Sequence, residues 1–352
     1  MTEQPPSRMI DWDLAVRVAA KLAGDGPAVP HAEAVEAVEE LRAGAEKSSP
    51  LVREFTGLVA AERTAPVLVV DRTGWIQANA DAFETIIAPL IGKLQAKKGA
   101  PSPMAEAIGS RITGAELGLM LGFLGNKVLG QFDPFYKDAG AAGRLLLVAP
   151  NIVHTEREID ADPHDFRLWV CLHEETHRVQ FTAVPWMRDH LESEMGRIIG
   201  EVQTDPGKLL TEGMKKMADV LAGKSEGSLI DVFSSPEQKA VIDRITGVMS
   251  LLEGHADVVM DGVGPEVIPS VEEIRRKFTQ RRKGVGTLDK LLRRLLGLDQ
   301  KMAQYRDGAV FVRDAIGAVG MEGFNAVWAG PENLPSKAEI HDPAAWVKRV
   351  HG

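Results

Sequence analysis

The sequence predicts a mainly α-helical protein with a small β-sheet, an α+β fold. Pairs in which Asp or Ser is followed by Pro recur along the chain. Such a pair offers a capping oxygen and then a proline that fits the first helical position. Apolar residues at intervals of three and four follow most of these pairs, which is the spacing of one buried helix face. Short branched apolar runs, the signal of strands, are few.

The predicted helix starts follow from this punctuation. They lie at Ser49-Pro50, Ser102-Pro103, Asp162-Pro163, Asp205-Pro206, Ser235-Pro236 and Asp342-Pro343. Two further starts have the form of a capping box, in which a Ser or Thr precedes a Glu by three residues. These are Thr113 with Glu116, and Ser270 with Glu273.

Two segments have the composition of β-strands. VLVVD at 67–71 and RLLLVAPNIV at 144–153 are short and apolar, and loop-forming residues flank both. A third apolar segment, GAELGLMLGFLGNKVLG at 114–130, is too short and too often interrupted by polar residues to span a bilayer. Its glycine spacing is typical of a close helix-packing face, so we expect a buried helix there.

The bulk composition limits the classes of function. A chain of 352 residues is long enough for one large domain, 1–352, and a division into a helical region 1–135 and a remainder 136–352 is the alternative. The net charge of −9 argues against nucleic acid or an anionic membrane as partner. The single cysteine suits a reducing compartment, and the first residues lack a signal-peptide pattern, so we expect a cytoplasmic location.

The segment WVCLHEETHRVQF, residues 169–181, contains His173, Glu174 and His177 in the order H-E-x-x-H. A helix that begins after Asp162-Pro163 and runs to about Phe181 places the two histidines one turn apart on the same side. Their imidazoles can then share one zinc ion. Glu174 lies about 100° further round the helix, where it can act as a general base on water without being a ligand. The alternative is a pair of surface histidines beside a solvated glutamate.

A third ligand has to come from another segment, because Gln180 and Ala183 replace the Gly and His that a metzincin would carry there. The segment SLLEGHADVVMD, 250–261, offers Glu253 and Asp257 on one helix face. Glu253 is the predicted ligand, and Asp257 would accept the free N–H of a ligand histidine. His255 points about 200° away from Glu253, although helix geometry alone leaves His255 and Asp257 open as ligands.

These residues resemble the zincin-like metallopeptidase type 2 family of actinobacterial proteins. The resemblance covers about residues 10–350 and rests on HEETHRVQF, LLEGHADVVMD and the tail KMAQYRDGAVFV…GFNAVW…LP. The first two blocks have the gluzincin arrangement, H-E-x-x-H on one helix and E-x-x-x-D on a later one. The resemblance implies a mainly helical zincin-like fold and a zinc hydrolase. From the paired histidines and the downstream carboxylate we expect one zinc ion per chain.

The same resemblance suggests further site residues. Gluzincins often use a Tyr or His downstream of the third ligand to stabilise the oxyanion, and Tyr305 is the better placed of the two tyrosines. An edge strand before the motif helix binds substrate backbone in zincins, and 144–153 could be that edge or a plain core strand. Gln180 and Trp169 lie on the histidine side of the helix and could line the cleft; a backbone-bonded Gln and a core Trp are the alternatives.

We therefore predict a zinc-dependent metallopeptidase or related amide hydrolase acting on a peptide or small amide. Two alternatives remain at this point: an inactive zincin-fold interaction protein, and a zinc hydrolase of a small metabolite. The sequence leaves the oligomeric state open.

Overall fold

The structure, a computed structural model, describes residues 9–59, 65–98, 102–136, 142–200, 236–283 and 298–352. The chain divides into two compact units. The first comprises Met1–Leu51, Ala61–Arg178 and Ile268–Val271, and the second comprises Val52–Ala60, Val179–Val267 and Glu272–Gly352. The prediction of one domain over 1–352 stays a prediction.

The first unit combines helices with the small sheet. Its elements are α1 (Trp12–Ala23), α2 (His31–Thr56), β1 (Val67–Val70), α3 (Arg72–Lys98), α4 (Pro103–Gly125), β2 (Gly130–Asp133), β3 (Arg144–Val148), α5 (Ala149–Glu158) and α6 (Pro163–Ala183). The last residues of α2 and α6 belong to the second unit. The predicted mainly helical fold with a small sheet is confirmed.

The sheet has three strands in the order β1-β3-β2. Strand β1 runs parallel to β3, with Val67 opposite Leu145, and β2 runs antiparallel to β3, with Gly130 opposite Leu147. The predicted strand at 67–71 is confirmed, apart from its last residue. Of the two possibilities left open for 144–153, an edge strand or a plain core strand, the structure shows the core strand, because β3 has a partner on both sides.

The predicted strand 144–153 is also too long. It ends at Val148, where α5 begins with Pro150 in its first turn. A proline there gives up no helical hydrogen bond, whereas it cannot donate to a neighbouring strand. Strand β2 was not predicted, because its four residues, GQFD, are too few to show an alternating pattern.

Helix α4 packs closely against α1 through a stripe of glycines, as the spacing predicted. A Cβ added to Gly118 would lie 2.7 Å from the carbonyl oxygen of Ala15, and one added to Gly122 would lie 2.8 Å from that of Ala19. The opposite side of α4 is exposed at Ile112 and Leu119, so the predicted burial holds for one face. Within the described ranges, every helix is too short or too polar to cross a membrane.

Most predicted helix starts are confirmed. Helices begin at Pro103, Pro163, Pro236 and Pro343, and another begins directly after Ser270. The predicted start at Ser49-Pro50 is wrong because Pro50 lies inside α2, which runs on from His31 to Thr56. The start at Thr113 is wrong because α4 already begins at Pro103. The pair Asp205-Pro206 lies outside the described residues.

The second unit is helical in its described residues. Its elements are α7 (Trp186–Gly200), α8 (Pro236–Val267), α9 (Val271–Lys283), α10 (Leu298–Phe324), two 3-10 turns (Asn325–Trp328 and Pro331–Asn333), α11 (Lys337–Ile340) and α12 (Pro343–His351). Helices α8 and α10 cross at Gly254 and Gly308, where an added Cβ on either residue would overlap the other helix's backbone. The fully buried side chains of Phe311, Phe324 and Trp346 form the aromatic core beside this crossing.

Candidate metal centre

Helix α6 presents the paired histidines as predicted. The Asp162 carboxylate accepts a hydrogen bond from the Asp165 backbone N–H at 3.0 Å and so caps its first turn. One turn apart, the rings of His173 and His177 have centroids separated by 4.9 Å and planes perpendicular to each other. Both side chains are half-buried. Two neighbouring imidazoles of this kind fit the binding of one metal ion.

Glu174 lies against the first residue of β2. Its side chain is 8% exposed, and a Cβ added to Gly130 would lie 2.6 Å from Cγ and Cδ of Glu174. The absence of a side chain at Gly130 therefore makes room for the carboxylate of Glu174. Gly130 was not predicted as part of the site, although a glycine in a strand often marks such a close approach.

A buried ion pair holds the same turn of α6. The fully buried Glu175 carboxylate accepts two hydrogen bonds from the Arg178 guanidinium, each 2.8 Å long. Arg178 also donates to the carbonyl oxygen of Ala65, directly before β1, at 2.6 Å. This two-pronged geometry ties the histidine turn to the sheet. The sequence did not predict this pair, because an i,i+3 ion pair on a helix is usually exposed.

Cys171 lies on the opposite side of α6 from the histidines. Its Sγ is 3.4 Å from the carbonyl oxygen of Leu41, to which it donates, and it is fully buried. Burial raises the pKa of the Cys171 thiol far above its usual value, and the negative charges of Glu174 and Glu175 raise it further. The thiol therefore stays protonated and acts as a small apolar residue.

In the second unit, Glu253 and Asp257 share one face of α8. Both are half-buried, whereas the residues between them, Gly254, His255 and Ala256, are buried. The backbone carbonyl oxygen of Asp257 accepts a hydrogen bond from Arg275 at 3.1 Å, and this bond does not involve the Asp257 carboxylate. The shared face predicted for the two carboxylates is confirmed, while their roles toward a metal stay predictions.

His255 is packed into the aromatic core of the second unit. Its side chain is 0% exposed, and its ring stacks on Phe324 at 5.8 Å and meets Trp328 edge-on at 5.3 Å. The Gln180 side chain lies 2.9 Å from its Nδ1. The side chain of His255 therefore occupies a different face of α8 from Glu253 and Asp257, as predicted.

The remaining predicted residues lie on helices of the expected kind. Trp169 is half-buried and stacks on the fully buried Phe166, with 5.8 Å between ring centroids. Gln180 is buried and hydrogen-bonded to α8. Tyr305 falls within α10, but its side chain lies outside what the structure describes. The cleft-lining and oxyanion roles of these residues stay predictions.

Comparison with known proteins decides the family. The sequence pattern of the zincin-like metallopeptidase family matches residues 10–347. The chain belongs to this family. A zincin-like metallopeptidase fold implies a bound metal, usually zinc, and a peptide or other small substrate.

This member of the zincin-like metallopeptidase family also resembles a solved structure. A crystal structure from Chloroflexus aurantiacus, provisionally described as a hydrolase with a novel fold, is 31% identical in sequence with a TM-score of 0.71. The match covers 97% of this chain and 98% of that chain. None of the curated proteins matches this chain.

Proposed function

We propose that this protein is a zinc-dependent metallopeptidase or related amide hydrolase, with His173, His177 and Glu253 as the ligands of one zinc ion. The observation that carries the proposal is the pair of perpendicular imidazoles of His173 and His177, with 4.9 Å between ring centroids, on the same helix as the buried Glu174. Two imidazoles and a carboxylate are a donor set that catalytic zinc sites use. Membership in the zincin-like metallopeptidase family supports the same reaction class.

The chemistry follows from the donor set and the buried glutamate. When bound, zinc would supply a Lewis acid that polarises the substrate carbonyl and acidifies water. Glu174 takes a proton from the attacking water on its carboxylate and delivers it to the leaving nitrogen. Its close fit against Gly130 limits the positions of this carboxylate. The general base is thus held in place by the sheet.

Other residues would orient the ligands and the substrate. We assign Asp257 to accept an N–H from a ligand imidazole, which fixes the orientation of that ring. Tyr305 would donate a hydrogen bond to the oxyanion that forms from the substrate carbonyl. Because β2 is an edge strand that begins beside Glu174, it is the strand that would pair with an extended peptide. Trp169 would line the cleft.

A reducing, cytoplasmic setting fits the single buried cysteine, Cys171.

Metal analysis together with an activity assay tests the proposal. Protein purified without added zinc is analysed by mass spectrometry for all transition metals, and we expect one zinc per chain. The same preparation is incubated with a mixture of peptides and small amides, and new amino groups are measured with and without a chelator. Chelator-sensitive release of amines supports the proposal. Protein that binds no zinc, even after zinc is added, would contradict it.

A zinc-bound protein without hydrolysis would point instead to the inactive interaction protein considered above. Release of amines from small amides alone, with every peptide left intact, would favour a metabolite hydrolase. The two assays together therefore separate the proposed function from both alternatives.

A further inference from the structure

We propose that Gln180 is a positioning residue that fixes the turn of α8 carrying Glu253 and keeps His255 from binding the metal. The inference rests on the proposed function, in that Glu253 is taken as a zinc ligand. It assigns Gln180 a role different from the cleft-lining role predicted from its place on α6.

The side-chain amide of Gln180 bonds to α8 on both sides of Glu253. Its Nε2 donates to the backbone carbonyl of Leu252 at 3.0 Å, and it lies 2.9 Å from Nδ1 of His255. Leu252 directly precedes Glu253, and His255 follows it by two residues. An amide nitrogen carries two hydrogens, so a single group can make both bonds.

These contacts also settle which atoms donate. A carbonyl oxygen can only accept, so the end of the amide that faces Leu252 is the nitrogen. The second hydrogen of this nitrogen then points to Nδ1 of His255, which accepts it. Nδ1 is then the acceptor nitrogen of the neutral imidazole and Nε2 carries its hydrogen, so neither ring nitrogen offers a metal a free lone pair. At 1% exposure, Gln180 makes both bonds away from competing water, which strengthens them.

The turn that carries Glu253 is held from other directions within the same unit. Gly254 lies at the crossing with α10, where its lack of a side chain lets the Gly308 backbone approach. Phe324 and Trp328 pack on the ring of His255. Gln180 adds a polar contact to this arrangement, and it comes from α6, the helix that also carries His173 and His177. A change at Gln180 therefore acts on Glu253 through the backbone of α8.

This arrangement gives a physical reason for the choice of ligand. Imidazole is the commonest metal ligand in proteins, and His255 is only two residues from Glu253. The hydrogen bond from Gln180 occupies Nδ1, and the aromatic rings hold the side chain on its own face of α8. Gln180 and the aromatic rings together thus leave the carboxylate, and not the imidazole, of this segment for the metal.

The test compares two variants that each lose one amide group. Gln180→Met removes both hydrogen bonds at nearly constant volume. Asn333→Leu is the matched control, because the Asn333 side-chain nitrogen donates at 2.7 Å to the backbone carbonyl of Ala326, in the second unit but on neither α6 nor α8. Zinc affinity is measured by competition with a chromogenic chelator, and the ligand field by the visible spectrum of the cobalt-substituted protein.

We expect Gln180→Met to bind zinc about 10–100-fold more weakly and to change the cobalt spectrum, as loss of a group behind a metal ligand does. Asn333→Leu should keep the wild-type spectrum and a zinc affinity within about threefold of the wild type, because Asn333 supports neither of the helices that carry the proposed ligands. His255→Phe, which refills the aromatic cluster, should also keep zinc. Wild-type zinc affinity and spectrum in Gln180→Met overturn the inference, and so does loss of zinc in His255→Phe comparable to that in Glu253→Ala.

An unfolded variant and a wild type without zinc are distinct from the outcomes above. If circular dichroism shows that Gln180→Met is unfolded, Gln180→Asn, which withdraws the amide by one methylene, carries the same expectations. If the wild type binds no zinc, the proposed function fails and this inference fails with it. Zinc that is present in the wild type, lost in His173→Ala and unaltered in Gln180→Met overturns the inference on Gln180 alone.

Discussion

Gly130 and Glu174 fit against each other so closely that a Cβ on Gly130 would lie 2.6 Å from the Glu174 side chain. Gly130 is the first residue of the edge strand β2, and Glu174 is the buried glutamate of the H-E-x-x-H sequence on α6. The strand therefore limits where the carboxylate of the proposed general base can lie. This contact gives the first prediction.

Gly130→Ala should lower hydrolysis while leaving zinc in place. The added methyl group displaces the Glu174 carboxylate, and a misplacement of about 1 Å in a catalytic group can cost about 10²-fold in rate. Steady-state kinetics and metal analysis on the same preparation measure the two effects. Gly109→Ala is the control, because a Cβ there meets nothing within 4 Å. An unchanged rate in Gly130→Ala would mean that the position of Glu174 does not limit the reaction.

His173→Ala should abolish zinc binding. Only two of the three proposed ligands would remain, and catalytic zinc sites ordinarily use three protein ligands. Metal analysis after dialysis against a weak chelator measures the remaining zinc. His164→Ala, on the first turn of the same helix and exposed, is the control and should retain a full equivalent. A full equivalent of zinc in His173→Ala would show that the ligand assignment is wrong.

Glu174→Gln should keep zinc and lose hydrolysis. The amide preserves the shape of the side chain but cannot accept the proton, so the expected loss is at least the ~10²–10⁴-fold typical of general acid–base catalysis. Zinc content and rate are compared in one preparation. Loss of zinc in this variant would identify Glu174 as a ligand or as a support of the ligands.

Substitution of the neighbouring glutamate, Glu175→Gln, should instead lower the stability of the fold. It breaks the buried ion pair with Arg178, and removal of one partner of a buried pair costs about 3–5 kcal/mol in the free energy of unfolding. Chemical denaturation measures this loss, and Glu174→Gln should not share it. Equal stability of the two variants would show that the Glu175–Arg178 pair adds little to the fold.

The two carboxylates of α8 should differ in the size of their effects. Glu253→Ala should empty the site, whereas Asp257→Asn should weaken zinc binding by about 10–100-fold, as loss of a partner behind a ligand does. His255→Ala should change zinc affinity little. A zinc titration of the three variants measures the order. An empty site in His255→Ala together with a full site in Glu253→Ala would exclude the gluzincin arrangement.

Several features of the site could be predicted from the sequence because they are local. The start of α6 at Pro163 follows from a cap and a proline, and the spacing of His173 and His177 follows from the pitch of a helix. The shared face of Glu253 and Asp257 follows in the same way. These relationships involve residues a few positions apart, so their geometry does not depend on the rest of the chain.

The strand order could not be predicted, so the sequence left 144–153 open as an edge strand or a core strand. Pairing in a sheet depends on segments distant in sequence, so 144–153 showed no local sign that β3 would have a partner on each side. Strand β2 was missed for the same reason, since its pairing with β3 and not its composition makes it a strand.

The sequence by itself determined the helical fold, the paired histidines of α6 and the family to which they belong. The tertiary structure alone decided that Gly130 accommodates Glu174, that Arg178 ties α6 to Ala65, and that Gln180 bonds to Leu252 and His255. The physical reason is range. Helix periodicity and capping act over a few residues, whereas burial of a charge, close backbone approach and hydrogen bonds between helices exist only once distant segments have packed.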